Sequence, residues 1–189
     1  MPGYEKYEKA QAGKAAPIQI CNHSTIFDEC YLLTNGLTPG FLAKDEVKNL
    51  PFVGKIAECM QGIFVKRGSE ESKQWTLDQI ALRISNILAG KRFPPMAIYP
   101  EGTTNNGSDL MHFKRGAFMN EAPIKIYGFE IAYSDVNPTW NLLTIPEVLF
   151  LQMSRYDYSL TLHEFDNFDP NYTINRHGLT PGDSENNLE

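Results

Sequence analysis

The sequence predicts an α/β fold: a single domain with a mixed, largely parallel sheet flanked by helices. First, short β-rich runs alternate with helical segments over the whole length, which is typical of strands joined by helical crossovers. Second, the 189 residues are 42% apolar and 21% charged, an ordinary composition for one globular domain that excludes a wholly disordered or collagen-like chain. Third, no internal repeat or linker divides the chain. We therefore expect one domain over residues 17–170, with a polar arm over 1–16 and a polar tail over 171–189.

The alternation of strands and helices is seen when the predicted segments are taken in chain order. Strands are predicted at PIQIC (17–21), GFLAK (40–44), GIFVKR (62–67), MAIYP (96–100), PIKIYGFEI (123–131) and YDYSLTLHEF (156–165). Helices are predicted at IFDECYLL (26–33), PFVGKIAECM (51–60), residues 69–90, FKRGAFMN (113–120) and PEVLFLQM (146–153). The helix over 69–90 has an acidic first turn, ends at Gly90, and carries an apolar stripe of Trp75, Leu77, Ile80, Ile84, Ile87 and Leu88.

Charge and cysteine content exclude several classes of protein. The net charge of −6 argues against a broad basic surface for nucleic acid. Cys21, Cys30 and Cys59 are too few and too unevenly spaced for a disulfide scaffold or a zinc ribbon, so we expect free thiols and no metal site. No segment approaches the roughly 18 apolar residues of a membrane-spanning helix, and the first residues lack an apolar signal segment. The sequence leaves open whether a longer segment precedes it.

The loop after the first predicted strand, CNHSTIFD, contains His23 and Asp28. A carboxylate beside a histidine holds its tautomer and stabilises the imidazolium, which is the usual arrangement of a general base. On a regular helix this spacing would place the side chains roughly 140° apart. The two can meet only if His23 lies in the loop and Asp28 on the first helical turn. The alternative is a capping segment with a surface histidine.

The loop after GIFVKR places Lys66 and Arg67 at a strand end, ahead of an acidic helix start. Arginine can hold a phosphate through two hydrogen bonds, and lysine acts as a point charge. These cations therefore suit an anionic ligand, although a solvated strand end is the simpler alternative.

The loop after MAIYP contains Glu101, Gly102 and Thr103, and Lys114 and Arg115 follow. An acid at a strand end, followed by glycine and hydroxyls, can combine a polar anchor with backbone N–H donors for an anion. The alternative, a long Gly/Asn turn, would not explain a glutamate directly after a buried-looking strand and a proline.

Together, NHSTIFD, GIFVKR, YPEGT and APIKI resemble in order and spacing the motifs of the glycerolipid acyltransferase family, the lysophosphatidic acid and lysophospholipid acyltransferases. The resemblance covers about residues 17–131, and FKRGAF is similar to the lysophospholipid branch. Thr104 stands where the family usually has Arg or Ser, and Ala-Pro-Ile replaces Val-Pro-Val. Neither departure touches the His23–Asp28 pair, but both concern the headgroup preference.

The resemblance implies transfer of a fatty acyl chain from acyl-CoA or acyl-carrier protein to a hydroxyl of a lysophospholipid, lysophosphatidic acid or glycerol 3-phosphate. His23 would be the general base, Asp28 would orient it, and the hydroxyl would attack the thioester directly. No cofactor is expected beyond the thioester co-substrate. The acceptor would be held by Arg67, Glu101, Gly102, Thr103 and Lys114.

The resemblance also implies an intracellular, membrane-associated protein that contacts a membrane surface or membrane-protein partners, and no nucleic acid. Only about 20 polar residues precede the histidine motif, where family members usually carry membrane-embedded or amphipathic helices. This opens an alternative, an acyltransferase-like domain that serves as a structural subunit of a larger membrane-associated assembly. An α/β-hydrolase is disfavoured because the sequence has no Gly-x-Ser-x-Gly turn.

Overall fold

The structure is a computed structural model that describes residues 16–25, 27–66, 68–118, 120, 122–133, 137, 145–154 and 158–168. Its strands are β1 (Ile18–Ile20), β2 (Gly40–Lys44), β3 (Ile63–Val65), β4 (Met96–Ile98), β5 (Ile124–Tyr133) and β6 (Tyr158–Glu164). Its α-helices are α1 (Phe27–Thr34), α2 (Val53–Cys59), α3 (Glu70–Leu88) and α4 (Ile145–Met153). The predicted tail and nearly all of the predicted arm lie outside the described residues.

The strands form one sheet in the order β3-β2-β4-β1-β5-β6. Every neighbouring pair is parallel except β5 and β6, which are antiparallel. The predicted fold class, a mixed and largely parallel sheet with helices, is therefore confirmed. Because β1 lies between β4 and β5, the loops that leave the carboxyl ends of these strands meet at one edge of the sheet.

The core occupies both faces of the sheet, as expected for a parallel sheet covered by helices. On one face, Ile18 and Ile20 of β1 pack in a cluster with Ile80 and Ile84 of α3. On the other face, a second cluster contains Cys21, which directly follows β1, together with Leu32 of α1, Phe41 and Phe129. Both faces around β1 are thus filled, which fixes the strand that leads into the histidine loop.

The predicted stripe of α3 is only partly correct. Ile80 and Ile84 are buried as expected, but Trp75 is 46% exposed and Leu88 is 62% exposed. Thr76 takes a buried position instead, and its hydroxyl donates to the Ser72 carbonyl at 2.7 Å. A threonine can turn inward here because its hydroxyl is satisfied within the helix.

The ends of α3 follow the sequence closely. The Ser69 hydroxyl accepts a hydrogen bond from the Ser72 N–H at 3.1 Å, an N-terminal cap. At the other end Gly90 has φ +78°, and the N–H groups of Gly90 and Lys91 donate to the carbonyls of Ile87 and Asn86. This is the Schellman motif, so Gly90 ends the helix as predicted.

Two predicted helices differ from the structure. In its described residues, FKRGAFMN contains a 3₁₀ turn, Arg115–Ala117, in place of an α-helix, because the Lys114 N–H donates to the Pro100 carbonyl at 2.8 Å and ties this short, glycine-containing segment to the end of β4. The segment predicted to start at Pro51 becomes helical only at Val53, since Phe52 has φ +63° and interrupts the helical backbone. No described helix has the length and apolar character needed to cross a membrane.

Candidate active site

His23 lies in the loop after β1, and its imidazole meets the carboxylate of Asp28 on the first turn of α1. Nδ1 of His23 and Oδ2 of Asp28 are 2.9 Å apart. The same oxygen accepts the backbone N–H groups of Ser24 at 2.8 Å and Thr25 at 3.1 Å. Two backbone N–H groups already donate to this oxygen of a fully buried carboxylate, so it acts as an acceptor; in a neutral ring Nδ1 therefore carries the proton, and Nε2 can accept one.

The imidazole is also held through its face. The rings of His23 and Tyr99, which follows β4, stack with centroids 3.9 Å apart and planes inclined by 16°. Since β4 is the neighbour of β1 in the sheet, the two loops are brought together by topology. Burial raises the pKa of the Tyr99 hydroxyl well above its ordinary value, so the tyrosine presents a neutral ring to the histidine.

A second carboxylate lies beside the other ring nitrogen. Oε1 of Glu29 is 3.8 Å from Nε2 of His23, and the glutamate side chain is 33% exposed. Burial is the largest cause that raises the pKa of Glu29, to about 7, and the neighbouring His23 acts in the opposite direction. His23 therefore lies between two carboxylates, of which only Asp28 forms a hydrogen bond of normal length.

Asn22 fixes the position of the histidine loop. Its side-chain amide donates to the Phe129 carbonyl at 2.9 Å, and its side-chain oxygen accepts the Phe129 N–H at 2.7 Å. β1 ends at Ile20, so beyond that residue it offers no backbone groups to β5. The Asn22 side-chain amide takes their place as the hydrogen-bond partner of Phe129. The loop is thus anchored to the centre of the sheet one residue before His23.

Glu101 organises the loop that follows β4. The carboxylate is 2% exposed, and its Oε2 accepts the side-chain amide of Asn105 and the N–H of Met111, the latter at 2.9 Å. The Asn105 N–H donates to the His23 carbonyl at 3.1 Å, which joins this loop to the histidine loop. The other oxygen, Oε1, is buried and accepts no hydrogen bond from any residue that the structure describes.

Gly102 and Lys114 lie against each other beside Glu101. Gly102 has φ +72°, and a Cβ at this position would be 2.5 Å from the Lys114 ammonium nitrogen. The glycine therefore leaves room for the lysine side chain. Lys114 is exposed and forms no ion pair with a carboxylate in the described part of the chain, so its charge is available to an anion.

The structure brings together most of the residues that the sequence singled out. Contacts link His23 to Asp28, His23 to the Glu101 loop through Asn105, and Gly102 to Lys114. Thr103 is exposed on the same loop. Arg67 lies outside the described residues, so the structure gives no position for it.

Sequence reasoning missed four side chains that hold or flank the histidine: Asn22, Glu29, Tyr99 and Asn105. The Asn-rich turn that contains Asn105 was a signal, because asparagine side chains often bond to nearby backbone. The stacking of Tyr99 and the approach of Glu29 depend on tertiary contacts and have no local signature.

Cys21 is an unsuitable nucleophile although it lies close to the site. Burial, followed by the charges of Asp28 and Glu29, raises the pKa of its thiol well above the ordinary value. The thiolate, which is the reactive form, is therefore disfavoured. No group of three or more His, Cys, Asp or Glu side chains that could bind a metal ion occurs among the residues that the structure describes.

Comparison with known proteins places the chain in a family. Residues 3–132 match the family model named Acyltransferase. The lysophospholipid acyltransferase LPEAT2 of Arabidopsis thaliana is 30% identical over 141 residues, which cover 75% of this chain and 25% of that protein. A lysophosphatidylcholine acyltransferase of Drosophila melanogaster is 30% identical over 151 residues, which cover 78% of this chain and 28% of that protein. The matched region is thus about a quarter of the length of these relatives.

A solved structure has the same fold. The 1-acyl-sn-glycerophosphate (LPA) acyltransferase PlsC from Thermotoga maritima aligns with a TM-score of 0.54 at 17% identity, covering 86% of this chain and 59% of that chain. At this identity the likeness concerns the fold alone. The family model, by contrast, covers more than half of this chain, including the histidine loop and the Glu101 loop. The chain therefore belongs to the acyltransferase family.

Proposed function

We propose that this protein transfers a fatty acyl chain from an acyl thioester to a hydroxyl of a lysophospholipid or a related glycerol phosphate. The observation that carries the proposal is the anchored imidazole of His23, whose Nδ1 is bonded to Asp28 while Nε2 is left to accept a proton. The names of the Arabidopsis and Drosophila relatives support a lysophospholipid as the acceptor.

The reaction proceeds in two steps around Nε2. The acceptor hydroxyl gives its proton to Nε2 of His23 while its oxygen forms a bond to the thioester carbonyl carbon. The carbon–sulfur bond then breaks, and the imidazolium returns the proton to the departing thiolate. Asp28 holds the ring and stabilises its positive charge, and a positioned base of this kind contributes a factor of about 10²–10⁴ in rate. No acyl-enzyme is formed.

The acceptor is bound by the cationic and polar groups of the neighbouring loops. The Lys114 ammonium, which stands over Gly102, attracts the phosphate, and the sequence assigns Arg67 the same role. Glu101 acts on the acceptor through this loop: its Oε2 holds the loop in place, while its Oε1 is buried and accepts no hydrogen bond from the described residues. Thr103 adds an exposed hydroxyl at the same edge. The donor is acyl-CoA or acyl-carrier protein, and no other cofactor takes part.

The same loop supplies a surface for contact with lipid. Leu110 is 75% exposed, Met111 43% and Phe113 40%, and the cations Lys114 and Arg115 follow them directly. Exposed apolar side chains next to cations favour binding at the interface of an anionic membrane. The protein would thus work at an intracellular membrane, where both acyl chains reside.

An assay with purified protein tests the proposal. Labelled acyl-CoA or acyl-carrier protein is offered with a panel of lysolipids in vesicles, and we expect transfer to at least one acceptor. His23→Ala should reduce the rate by a factor of about 10²–10⁴, because the base is lost. Its melting temperature should change little, since the ring lies at the rim of the core. His163→Ala is the matched control, because His163 is exposed on β6 and pairs with Glu130 of β5 rather than with a residue of the site.

The opposite outcome supports the structural-subunit alternative. If the wild-type protein transfers no acyl chain from either donor in the presence of membranes and its native partners, the domain has no acyltransferase activity and the proposed function is wrong. If His23→Ala keeps the wild-type rate, the base is another residue.

A further inference from the structure

Glu29 has no part in the mechanism above, yet its carboxylate lies on the reactive side of the imidazole. It is the third residue of α1, next to Asp28 in sequence, and the two carboxylates approach different ring nitrogens of His23. Asp28 is 2.9 Å from Nδ1, and Oε1 of Glu29 is 3.8 Å from Nε2. This second distance is longer than a hydrogen bond, so Glu29 does not occupy the lone pair of Nε2.

Among the residues that the structure describes, the titratable groups that interact with Glu29 include no cation other than the histidine. The titratable groups that act on Glu29, or on which it acts, come from α1, from the end of β1 and from the residue after β4: Asp28, Cys30, Cys21, His23 and Tyr99. Of these, only the imidazole can carry a positive charge. A glutamate in the first turn of a helix often serves only the helix dipole. Here burial raises the pKa of Glu29 to about 7, which a solvated first-turn glutamate would not show.

We propose that ionised Glu29 is a second positioning residue, which stabilises the positive charge that His23 acquires when Nε2 takes the acceptor proton. The inference rests on the proposed function and extends it. The proton stays on Nε2 until the thiolate takes it, so Glu29 gains and loses no proton during a turnover. When Glu29 is protonated before the reaction, this stabilisation is absent and the rate falls.

The pH dependence of the rate tests the inference. In the wild-type protein transfer needs a deprotonated His23, and an ionised Glu29 raises its rate, so the acid limb of log(kcat/KM) against pH should be steeper than a slope of 1 where Glu29 titrates. In Glu29→Gln one ionisation remains and the slope should be 1. We also expect Glu29→Gln to lower kcat at pH 8 about five- to tenfold with KM little changed, because a charge about 4 Å away in a partly exposed site is lost. Glu29→Asp keeps the charge and should keep the steeper slope.

Glu130→Gln is the matched control, since Glu130 also pairs with a histidine, His163, at 2.6 Å but is 67% exposed on the antiparallel edge of the sheet. It should leave rate and pH profile unchanged. If Glu29→Gln keeps the wild-type slope and rate, Glu29 does not act on His23 and the inference is wrong.

A titration that needs no turnover separates this inference from the proposed function. The ring carbon resonance of His23, followed by NMR from pH 4 to 9, should show two inflections in the wild-type protein and one in Glu29→Gln. If that change occurs in a protein that transfers no acyl chain, the pairing stands and the proposed function fails. If the ring titrates identically in both proteins, the pairing fails whatever the activity.

Discussion

At the scale of single residues, the site depends on how tightly one imidazole is held. Asp28 accepts hydrogen bonds from two backbone N–H groups in addition to its contact with His23. The backbone therefore holds the carboxylate in place, and the carboxylate in turn orients the ring. Tyr99 then restricts the ring in the remaining direction through its face. Positioning of this kind is effective because displacement of a catalytic group by about 1 Å can cost roughly 100-fold in rate.

Tyr99 offers a matched pair of substitutions for this stacking contact. Tyr99→Phe keeps the ring and removes a buried hydroxyl whose hydrogen-bonding neighbour is the thiol of Cys21, a weak partner. We expect its stability to stay within about 1 kcal/mol of wild type, with full activity. Tyr99→Leu removes the aromatic face and should lower kcat about tenfold with KM little changed. Steady-state kinetics and thermal unfolding of both variants measure this. Equal kcat values for the Leu and Phe variants would show that stacking does not position the ring.

At the scale of elements, Asn22 couples the histidine loop to β5. Asn22→Ala leaves the N–H and carbonyl of Phe129 without these partners, and we expect a loss of roughly 2 kcal/mol in the free energy of unfolding. The rate should fall as well, because His23 is the next residue. Asn35→Ala is the control, since its exposed amide also donates to a backbone carbonyl, that of Tyr31 at 2.9 Å. Chemical denaturation measures both variants. Similar small losses of unfolding free energy in the two variants would mean that the hydrogen bonds between Asn22 and Phe129 contribute little to stability.

The elements also show what local sequence can predict. The strand at 40–44 and both ends of α3 were predictable, because periodicity, a serine cap and a left-handed glycine act over a few residues. FKRGAFMN was predicted as a helix because its residues permit one. In the structure, the hydrogen bond from the Lys114 N–H to the Pro100 carbonyl ties the start of this segment to the end of β4, and a 3₁₀ turn follows. The His23–Asp28 contact was predictable because a strand-to-helix junction joins residues close in sequence. The approach of Tyr99 required the strand order, which no local pattern contains.

At the scale of the whole molecule, the acidic chain concentrates its unusual charges at one edge of the sheet. The net charge is −6, yet Lys114 and Arg115 lie on the loop that organises the site, and they suit anionic substrates. At the same edge, Asp28 and Glu101 are buried carboxylates, and Glu29 is partly buried beside them. Burying carboxylates lowers the stability of a protein, and functional sites commonly accept this loss because the reaction needs the buried groups.

That cost makes the stability of the molecule depend on pH through Glu29. The pKa of Glu29 is about 7 in the folded protein against an ordinary value of 4.5, so the folded state binds this proton more tightly than the unfolded state. The favourable contribution is complete below about pH 4.5 and is lost as the pH rises through 7. Because the side chain is 33% exposed, solvent screening reduces the effect to roughly 1–2 kcal/mol.

Glu29→Gln should therefore stabilise the protein in alkaline solution while it impairs the reaction. At pH 8 we expect its free energy of unfolding to exceed that of the wild type by roughly 1–2 kcal/mol, because an ionised carboxylate no longer has to be buried. The difference should shrink as the pH falls through 7 and disappear below about 4.5, where the wild-type carboxyl is protonated in both states. Urea denaturation at a series of pH values measures both curves. A constant difference across this range would mean that Glu29 titrates as an ordinary surface glutamate, and that the stability cost at this edge of the sheet arises from other groups.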